Sequence, residues 1–273
     1  MSNLENKIKK HLQQQYKGIF LPPQIDKHIK NYVENAQSSY LVQKISPLVD
    51  KGAKILDIGS GYGSFVFEAI HHGYDAYGIE IESFEHEISK ERAVEELIDP
   101  KRFAQGSALS LPYPDESFDM VSFWNVLEHI SDYKQAIREA KRVLKTKGKI
   151  FIIAPNYCAF RKEAHYHVPW IPLFPKPLAR LYLRFLGRET TFLDNCIFYV
   201  TIFGVKRYLV SQNLHVSIDI NEKIRKGFNF HSSYINRVVQ FCRTYRLTGL
   251  LEKAIFFFQT HPFTNSIDIV AKK

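Results

Sequence analysis

Two acids and three glycines in the first third of the chain have the spacing of a nucleotide cradle. The stretch Lys54-Ile55-Leu56-Asp57-Ile58-Gly59-Ser60-Gly61-Tyr62-Gly63-Ser64-Phe65 is a short apolar run closing on an acid. Glycines then fall at every second position, and a helical apolar pattern begins. It reads as strand, tight turn and helix. Glycine is required where backbone approaches a ligand closely or takes positive φ. A helix starting there presents unpaired N–H groups to an electron-rich ligand. A second strand, Asp75-Ala76-Tyr77-Gly78-Ile79, ends at Glu80. That acid lies roughly 20 residues downstream, the reach of a carboxylate that accepts from ribose hydroxyls. The third glycine is one residue early for the dinucleotide fingerprint, with Ser64 in its place, which disfavours a nicotinamide-dependent dehydrogenase.

The order acid-x-Gly-x-Gly-x-Gly, here Asp57, Gly59, Gly61 and Gly63, resembles the first motif of the class I S-adenosylmethionine-dependent methyltransferases. The resemblance continues through Gly106-Ser107-Ala108-Leu109-Ser110-Leu111-Pro112, Ser117-Phe118-Asp119-Met120-Val121, Asn125-Val126-Leu127-Glu128-His129 and Leu144-Lys145-x-x-Gly148. It implies an α/β, Rossmann-like sheet of seven strands ordered 3-2-1-4-5-7-6, the last antiparallel, with a helical lid insertion. It implies S-adenosyl-L-methionine as cofactor, held by Asp57, Gly59, Gly61, Gly63 and Glu80. In the family the residue after Gly106 is often an acid that accepts from the adenine amino group. Here Ser107 offers a hydroxyl, and the Ala108 N–H can reach a ring nitrogen. Asn125 leaves the carboxyl edge of the fourth strand, where ligands sit in an open α/β sheet, and is placed by that topology near the sulfonium.

Methyl transfer is an in-line displacement at a carbon activated by the sulfonium. Such an enzyme brings the nucleophile to near-attack distance and excludes water. A hydroxyl acceptor gains from a base, by about 10²–10⁴-fold. Histidine has a suitable unperturbed pKa. His165 and His167 lie where the acceptor is expected, and in extended chain positions i and i+2 share a face. His129, just past the fourth strand, is a third candidate. Resembling proteins with different substrates carry the same Leu-Glu-His run, which fits a scaffold role for it. Glu163, Tyr157 and Tyr166 are weaker candidates, and Arg161 and Lys162 suit a phosphate or carboxylate on the acceptor. No metal is expected, because no His/carboxylate cluster has ligand spacing along the chain.

These residues need elements to carry them. Residues 4–17 hold a sparse apolar row, a marginal helix or frayed tail ended by Pro22-Pro23. Ile25, Ile29, Val33, Ala36, Tyr40, Ile45 and Leu48 have helical spacing, with Tyr40 expected in the core. Strands are predicted over 54–58, 75–80, 102–105, 118–123, 149–154, 215–220 and 266–271. Helices are predicted after the first turn, over 84–97 with its acids on a solvated face, over 132–145, over 201–214 and through 231–258. His71-His72 ahead of Gly73 reads as an exposed helix end, since adjacent residues on a helix diverge. Four stretches follow: 1–50, an N-terminal helical segment; 51–155, the cofactor core; 156–203, an aromatic and basic substrate lid; and 204–273, completing the sheet.

Charge separates these stretches. Residues 1–150 carry 20 Lys/Arg against 21 Asp/Glu, and residues 151–273 carry 17 against 7, so the formal excess of +9 lies in the second half. That half suits an anionic partner: a sugar phosphate, a nucleotide- or lipid-linked glycan, a phospholipid surface or RNA. Glu163-x-His165-Tyr166-x-x-Pro169 and the following Leu178-Ala179-Arg180-x-Tyr182 and Gly187-Arg188 resemble an insertion in methyltransferases of polysaccharide and lipopolysaccharide biosynthesis. A small-molecule or glycan O-methyltransferase is the leading expectation. A lipid or quinone acceptor is the near alternative, since apolar residues with interspersed cations over 168–186 fit a bilayer surface. An RNA methyltransferase is disfavoured: Trp124-Asn125-Val126-Leu127 stands where base-amino methylases carry Asn/Asp-Pro-Pro-aromatic. A non-catalytic, cofactor-binding scaffold is the remaining alternative. No run of about 18 apolar residues is present, and Met1-Ser2-Asn3-Leu4-Glu5 lacks a secretory apolar core. Cys158, Cys196 and Cys242 are scattered, as in a reduced cytoplasmic protein.

Overall fold

The computed structural model describes residues 3–19, 25–26, 29–30, 36–228, 230 and 232–273. The strands are β1 (Lys54–Ile58), β2 (Asp75–Glu80), β3 (Phe103–Gln105), β4 (Phe118–Trp124), β5 (Leu144–Pro155), β6 (Arg161–Lys162), β7 (Pro169–Trp170), β8 (His215–Ser217) and β9 (Ser266–Lys272). Seven of them form one sheet in the order β3-β2-β1-β4-β5-β9-β8. The pairs from β3 to β5 are parallel, and β9 runs antiparallel to both β5 and β8. This is the arrangement expected from the sequence.

Parallel strands covered on both faces read as continuous apolar runs. Ile55-Leu56, Met120-Val121 and Phe151-Ile152 are fully buried. Alternate residues enter opposite layers. Leu56, Val121 and Ile152 meet α5 (Tyr133–Val143) and α8 (Ile202–Ser211). Ile55, Met120 and Phe151 meet α2 (Ala36–Ile45) and α3 (Ser64–His71). Asp132 caps α5 by accepting from the Gln135 N–H at 3.0 Å, and Ala136, Ile137, Ala140 and Val143 form its buried stripe. A buried ion cluster ties the sheet's far edge to α2: Lys44 Nζ lies 2.7 Å from Asp268 Oδ2 and 3.3 Å from Asp219 Oδ1.

Several expectations are corrected. The chain over 4–17 is a docked helix, α1 (Asn3–Gln15), with Ile8 and Leu12 buried beside α4 (Ser83–Glu95). Pro22-Pro23 and Val33 lie outside the described residues; of the expected long helix, residues 25–26 and 29–30 are helical and Ala36–Ile45 forms α2. Tyr40 is exposed rather than packed in the core, with the Lys44 ammonium over its ring. The strand expected to reach Ile220 stops at Ser217. Asp219 instead opens α9 (Asp219–Lys226), drawn to Lys44, and Lys223–Lys226 is that helix's last turn. The region after Ser232 is two helices, α10 (Ser233–Thr244) and α11 (Thr248–Gln259), separated at Arg246, whose φ is +57°.

Between β5 and α8 the chain forms the β6–β7 hairpin, α6 (Lys176–Phe185) and α7 (Thr191–Cys196). Its exit from the sheet is fixed by Asn156, which is fully buried. The side-chain amide donates to the carbonyls of Pro262 and Thr264, both at 2.7 Å, and its oxygen accepts from the N–H groups of Cys158 and Ile202. Among the described residues no helix is long and apolar enough to cross a membrane.

Candidate active site

The glycine turn after β1 is shaped by sterics. Gly59 has φ +71°, and a Cβ on it would stand 2.2 Å from Cγ2 of Val126. No other residue fits without moving the loop after β4. The N–H groups of Gly59 and Ser60 both donate to the Ile79 carbonyl, at 2.9 and 3.1 Å. The turn is thereby held against the end of β2. There Glu80 acts as a hub: Oε2 accepts from the Gly61 N–H at 2.9 Å, and Oε1 from those of Ile81 and Glu82 at 2.7 and 2.9 Å. A carboxylate has about four acceptor positions, so one direction stays open toward a ligand. Asp57 is buried at the end of β1 and accepts from the Ser122 hydroxyl at 2.8 Å. Burial, reinforced by the Glu80 charge, holds its carboxyl well above the usual range despite that bond.

A cavity of about 920 Å³ opens at the carboxyl edge of the sheet above this turn. Asp57, Gly59, Gly61, Glu80, Ser107, Ala108 and Asn125 all line it. Gly63 does not. It caps α3 at φ +79°, where a Cβ would meet the rings of Phe103 and Phe67 at 2.7 and 2.8 Å. Close packing of helix on strand requires glycine there. Ser107 Oγ accepts from the Leu109 N–H at 3.1 Å. Asn125 is left-handed, φ +52°, with its N–H donated to Ile153 at 2.7 Å, so the chain turns out of β4 at the cavity rim. Two walls were unforeseen. Gln15 and Tyr16 reach in from the end of α1, and Glu85 enters from α4, whose acids were expected to face solvent. Burial, with the charges of Glu80 and Glu82, pushes the Glu85 carboxyl up to about 8.

The other end of the same cavity holds all three candidate histidines, with Arg161, Lys162 and Glu163. His129 sits on a 3₁₀ turn, Leu127–His129, pinned where the Phe198 N–H donates to the Glu128 carbonyl at 2.7 Å. His165 sits in the tight loop of the β6–β7 hairpin, which is closed by N–H donation from Glu163 to Val168 and from His167 to Glu163. The loop is a turn, not the extended chain expected. His167, at φ +55°, is exposed at the rim, while His165 points inward. His129 and His165 meet with their Nε2 atoms 3.1 Å apart. Behind them, His129 Nδ1 lies 2.6 Å from the Cys196 carbonyl, and His165 Nδ1 lies 3.2 Å from Glu163 Oε1.

Glu163 is fully buried and fully bonded. Oε1 also accepts from the Tyr157 hydroxyl at 2.9 Å, and Oε2 from the N–H groups of His165 and Tyr166 at 2.6 and 2.7 Å. Burial opposes its ionisation, yet the His165 ring and these N–H groups outweigh burial and hold it at about 2. Tyr157 and Tyr166 do not line the cavity. They are buried struts, the second accepting from the Leu193 N–H at 3.1 Å. Burial foremost, then the His165 charge, lowers His129 to about 4, so it is neutral at pH 7. Glu128 is buried beside the pair and raised to about 7, chiefly by burial. Glu128, His129 and His165 form a three-ligand group that spacing along the chain does not reveal, because the hairpin brings residue 165 back over residue 129. A second depression, at the opposite edge of the sheet, is lined by Arg142, Asp115, Lys273 and Glu116, already paired with one another.

Residues 56–152 match the family model described as a methyltransferase domain. The uncharacterized methyltransferase YcgJ of Bacillus subtilis is 35% identical over 104 residues, which are 38% of this chain and 41% of that protein. A demethylmenaquinone methyltransferase of a Geobacillus species is 28% identical over 141 residues, 49% of this chain and 60% of that protein. The chain thus spans less than two thirds of the length of these relatives. The crystal structure of YcgJ shares the fold, with a TM-score of 0.50 at 23% identity over 66% of this chain and 69% of that one. Glycine turn, strand order and matched region agree on one point: residues 56–152 match a methyltransferase domain.

Proposed function

We propose that this protein transfers a methyl group from S-adenosylmethionine to a hydroxyl of an anionic small-molecule or glycan acceptor. One observation carries the reading: the cradle of Asp57, Gly59, Gly61 and Glu80 and the cluster of His129, His165 and Glu163 open into a single cavity. The cradle seats the nucleoside, with the ribose at the open acceptor direction of Glu80 and the adenine beside Ser107 and Ala108. Asn125 stands between the two halves, where the methyl group would be presented. The acceptor hydroxyl then faces the histidines and gives up its proton there, its oxygen attacks the methyl carbon, and the carbon–sulfur electron pair stays on sulfur. Arg161 and Lys162 supply the charge that selects an anionic acceptor.

Radiolabelled methyl transfer on extracts fractionated into sugars, lipids and RNA tests the reading. Label should enter the sugar fraction, and His165→Ala should lower kcat by about 10²–10⁴-fold with cofactor affinity unchanged. Label in RNA alone, or full activity in His165→Ala, would refute it.

A second reading, a lipid or quinone acceptor, is favoured by α6. This helix exposes Leu178, Leu181 and Phe185, the last 88% accessible, among Lys176, Arg180 and Arg184. Such a face suits the surface of an anionic bilayer, and the Geobacillus relative carries a quinone-methylating name. Co-sedimentation with anionic liposomes, lost in Phe185→Asp, would support it. Absence of co-sedimentation would remove it.

A further inference from the structure

Glu128, His129 and His165 line one stretch of the cavity wall and each offers one ligand atom, all within 4.8 Å of one another. The surrounding hydrogen bonds decide which ring nitrogens are available. The Cys196 carbonyl can only accept, so His129 Nδ1 carries the proton and Nε2 presents a lone pair. Glu163 accepts four bonds and donates none, so His165 Nδ1 is also a donor. The two Nε2 atoms then face each other at 3.1 Å. Two lone pairs at that distance repel, and a positive centre must lie between them, either a proton or a metal ion. Glu128 separates the two possibilities. Its Oε2 is buried and has no hydrogen-bond partner among the described residues. A proton held between the imidazoles leaves that oxygen unsatisfied, whereas a cation takes it as a third ligand.

We propose that Nε2 of His129, Nε2 of His165 and the carboxylate of Glu128 bind a divalent first-row transition-metal ion. Two imidazoles and a carboxylate suit the zinc, manganese and iron class. At metal–nitrogen distances of about 2.0–2.1 Å, nitrogens 3.1 Å apart subtend roughly 100°. That is an ordinary angle between neighbouring ligands. The outer bonds are those that orient metal-bound imidazoles, one Nδ1–H to a carbonyl and the other to a carboxylate. Charge closes as well, since Glu128 and Glu163 together balance a divalent ion. The remaining coordination positions face the cavity. This deepens the proposed methyl transfer, rests on it, and changes one role: with both Nε2 atoms committed to the ion, the histidines would be ligands rather than the base, and an acceptor hydroxyl acidified by the ion would lose its proton to water in the open cavity. Its oxygen bonds to the methyl carbon, and the electrons of the broken carbon–sulfur bond stay on sulfur.

The test is titration of chelator-treated full-length protein with Co²⁺, followed by visible absorption, with Zn²⁺ competition. One ion should bind per chain at micromolar concentration or below. His165→Ala and the near-isosteric Glu128→Gln should each weaken binding by at least about 10²-fold, and Glu163→Gln by about 10–100-fold through loss of the outer bond. A variant without the surface pair His71 and His72 should bind as wild type. Absence of a Co²⁺ band up to millimolar concentration in folded wild-type protein would overturn the proposal. So would bands unchanged in Glu128→Gln and Glu163→Gln, both of which keep the fold's shape if His165→Ala does not. Calorimetry of S-adenosylmethionine binding to the same chelated protein separates the claims. Cofactor binding without Co²⁺ binding sinks only the metal site, and the reverse sinks only the methyl-transfer reading.

Discussion

Placing a methyl group on Gly59 should unmake the cofactor cradle by a mechanism that can be taken apart. Two costs are built into Gly59→Ala. The residue sits at φ +71°, a left-handed conformation that costs an L-residue about 1–2 kcal/mol. Its new Cβ would also stand 2.2 Å from Cγ2 and 2.9 Å from Cβ of Val126, far inside the van der Waals minimum. Overpacking of that kind costs about 1–3 kcal/mol as side chains and backbone shift. The total is about 2–5 kcal/mol. The movement falls on the turn that hangs from Ile79 by two N–H bonds, so affinity for S-adenosylmethionine should fall by more than tenfold. Val126→Ala removes both γ-carbons and should recover most of the overpacking cost while leaving the backbone cost untouched. A double-mutant cycle by urea denaturation, with calorimetry of cofactor binding, reads the two parts separately. Additive losses, with no recovery from Val126→Ala, would show that Val126 does not close over the turn and would refute the geometry.

Other perturbations have equally definite outcomes. The Glu85 carboxyl is raised from 4.5 to about 8, so the folded state keeps a proton that the unfolded chain loses above pH 4.5. Stability should therefore decline from pH 4.5 to about 8. Glu85→Gln should melt like wild type at pH 4 and above it at pH 9, and a constant difference across that range would count against burial of this acid. Lys44→Met removes the cation that Asp219 and Asp268 share, leaving only Lys223 at 3.7 Å from Asp219, and should cost about 3–5 kcal/mol. Adding Asp219→Asn and Asp268→Asn should restore much of that loss in thermal unfolding, and no restoration would mean that the cluster is not a unit.

The parts legible in the sequence are those whose signal is local. Asp57-x-Gly59-x-Gly61, the fully apolar Ile150–Ala154 and the end of β2 at Glu80 each declare their conformation within a few residues. The cofactor edge followed from them, and the strand order from the resemblance alone. The acids of α4 show why the rest was hidden. Glu82, Glu85 and Glu87 look like one solvated face, and only the packing of α1 and the glycine turn brings Glu85 into the cavity. Tyr40 fits a helical apolar row, but the neighbouring Lys44 is the residue taken into the interior, by Asp219 and Asp268, which lie at the other end of the chain. His165 was singled out and His129 kept beside it, yet their contact depends on a hairpin of two-residue strands that no periodicity announces. Glu163, one of the weaker candidates in the sequence, accepts four bonds on its carboxylate.

The most direct measurement is calorimetric titration of the folded protein with S-adenosylmethionine and with its demethylated product. The account expects saturable binding of one molecule per chain for both ligands, weakened more than tenfold in Gly59→Ala and at least tenfold in Glu80→Ala. No heat from either ligand at millimolar concentration, with a cooperative thermal transition proving the fold intact, would contradict it.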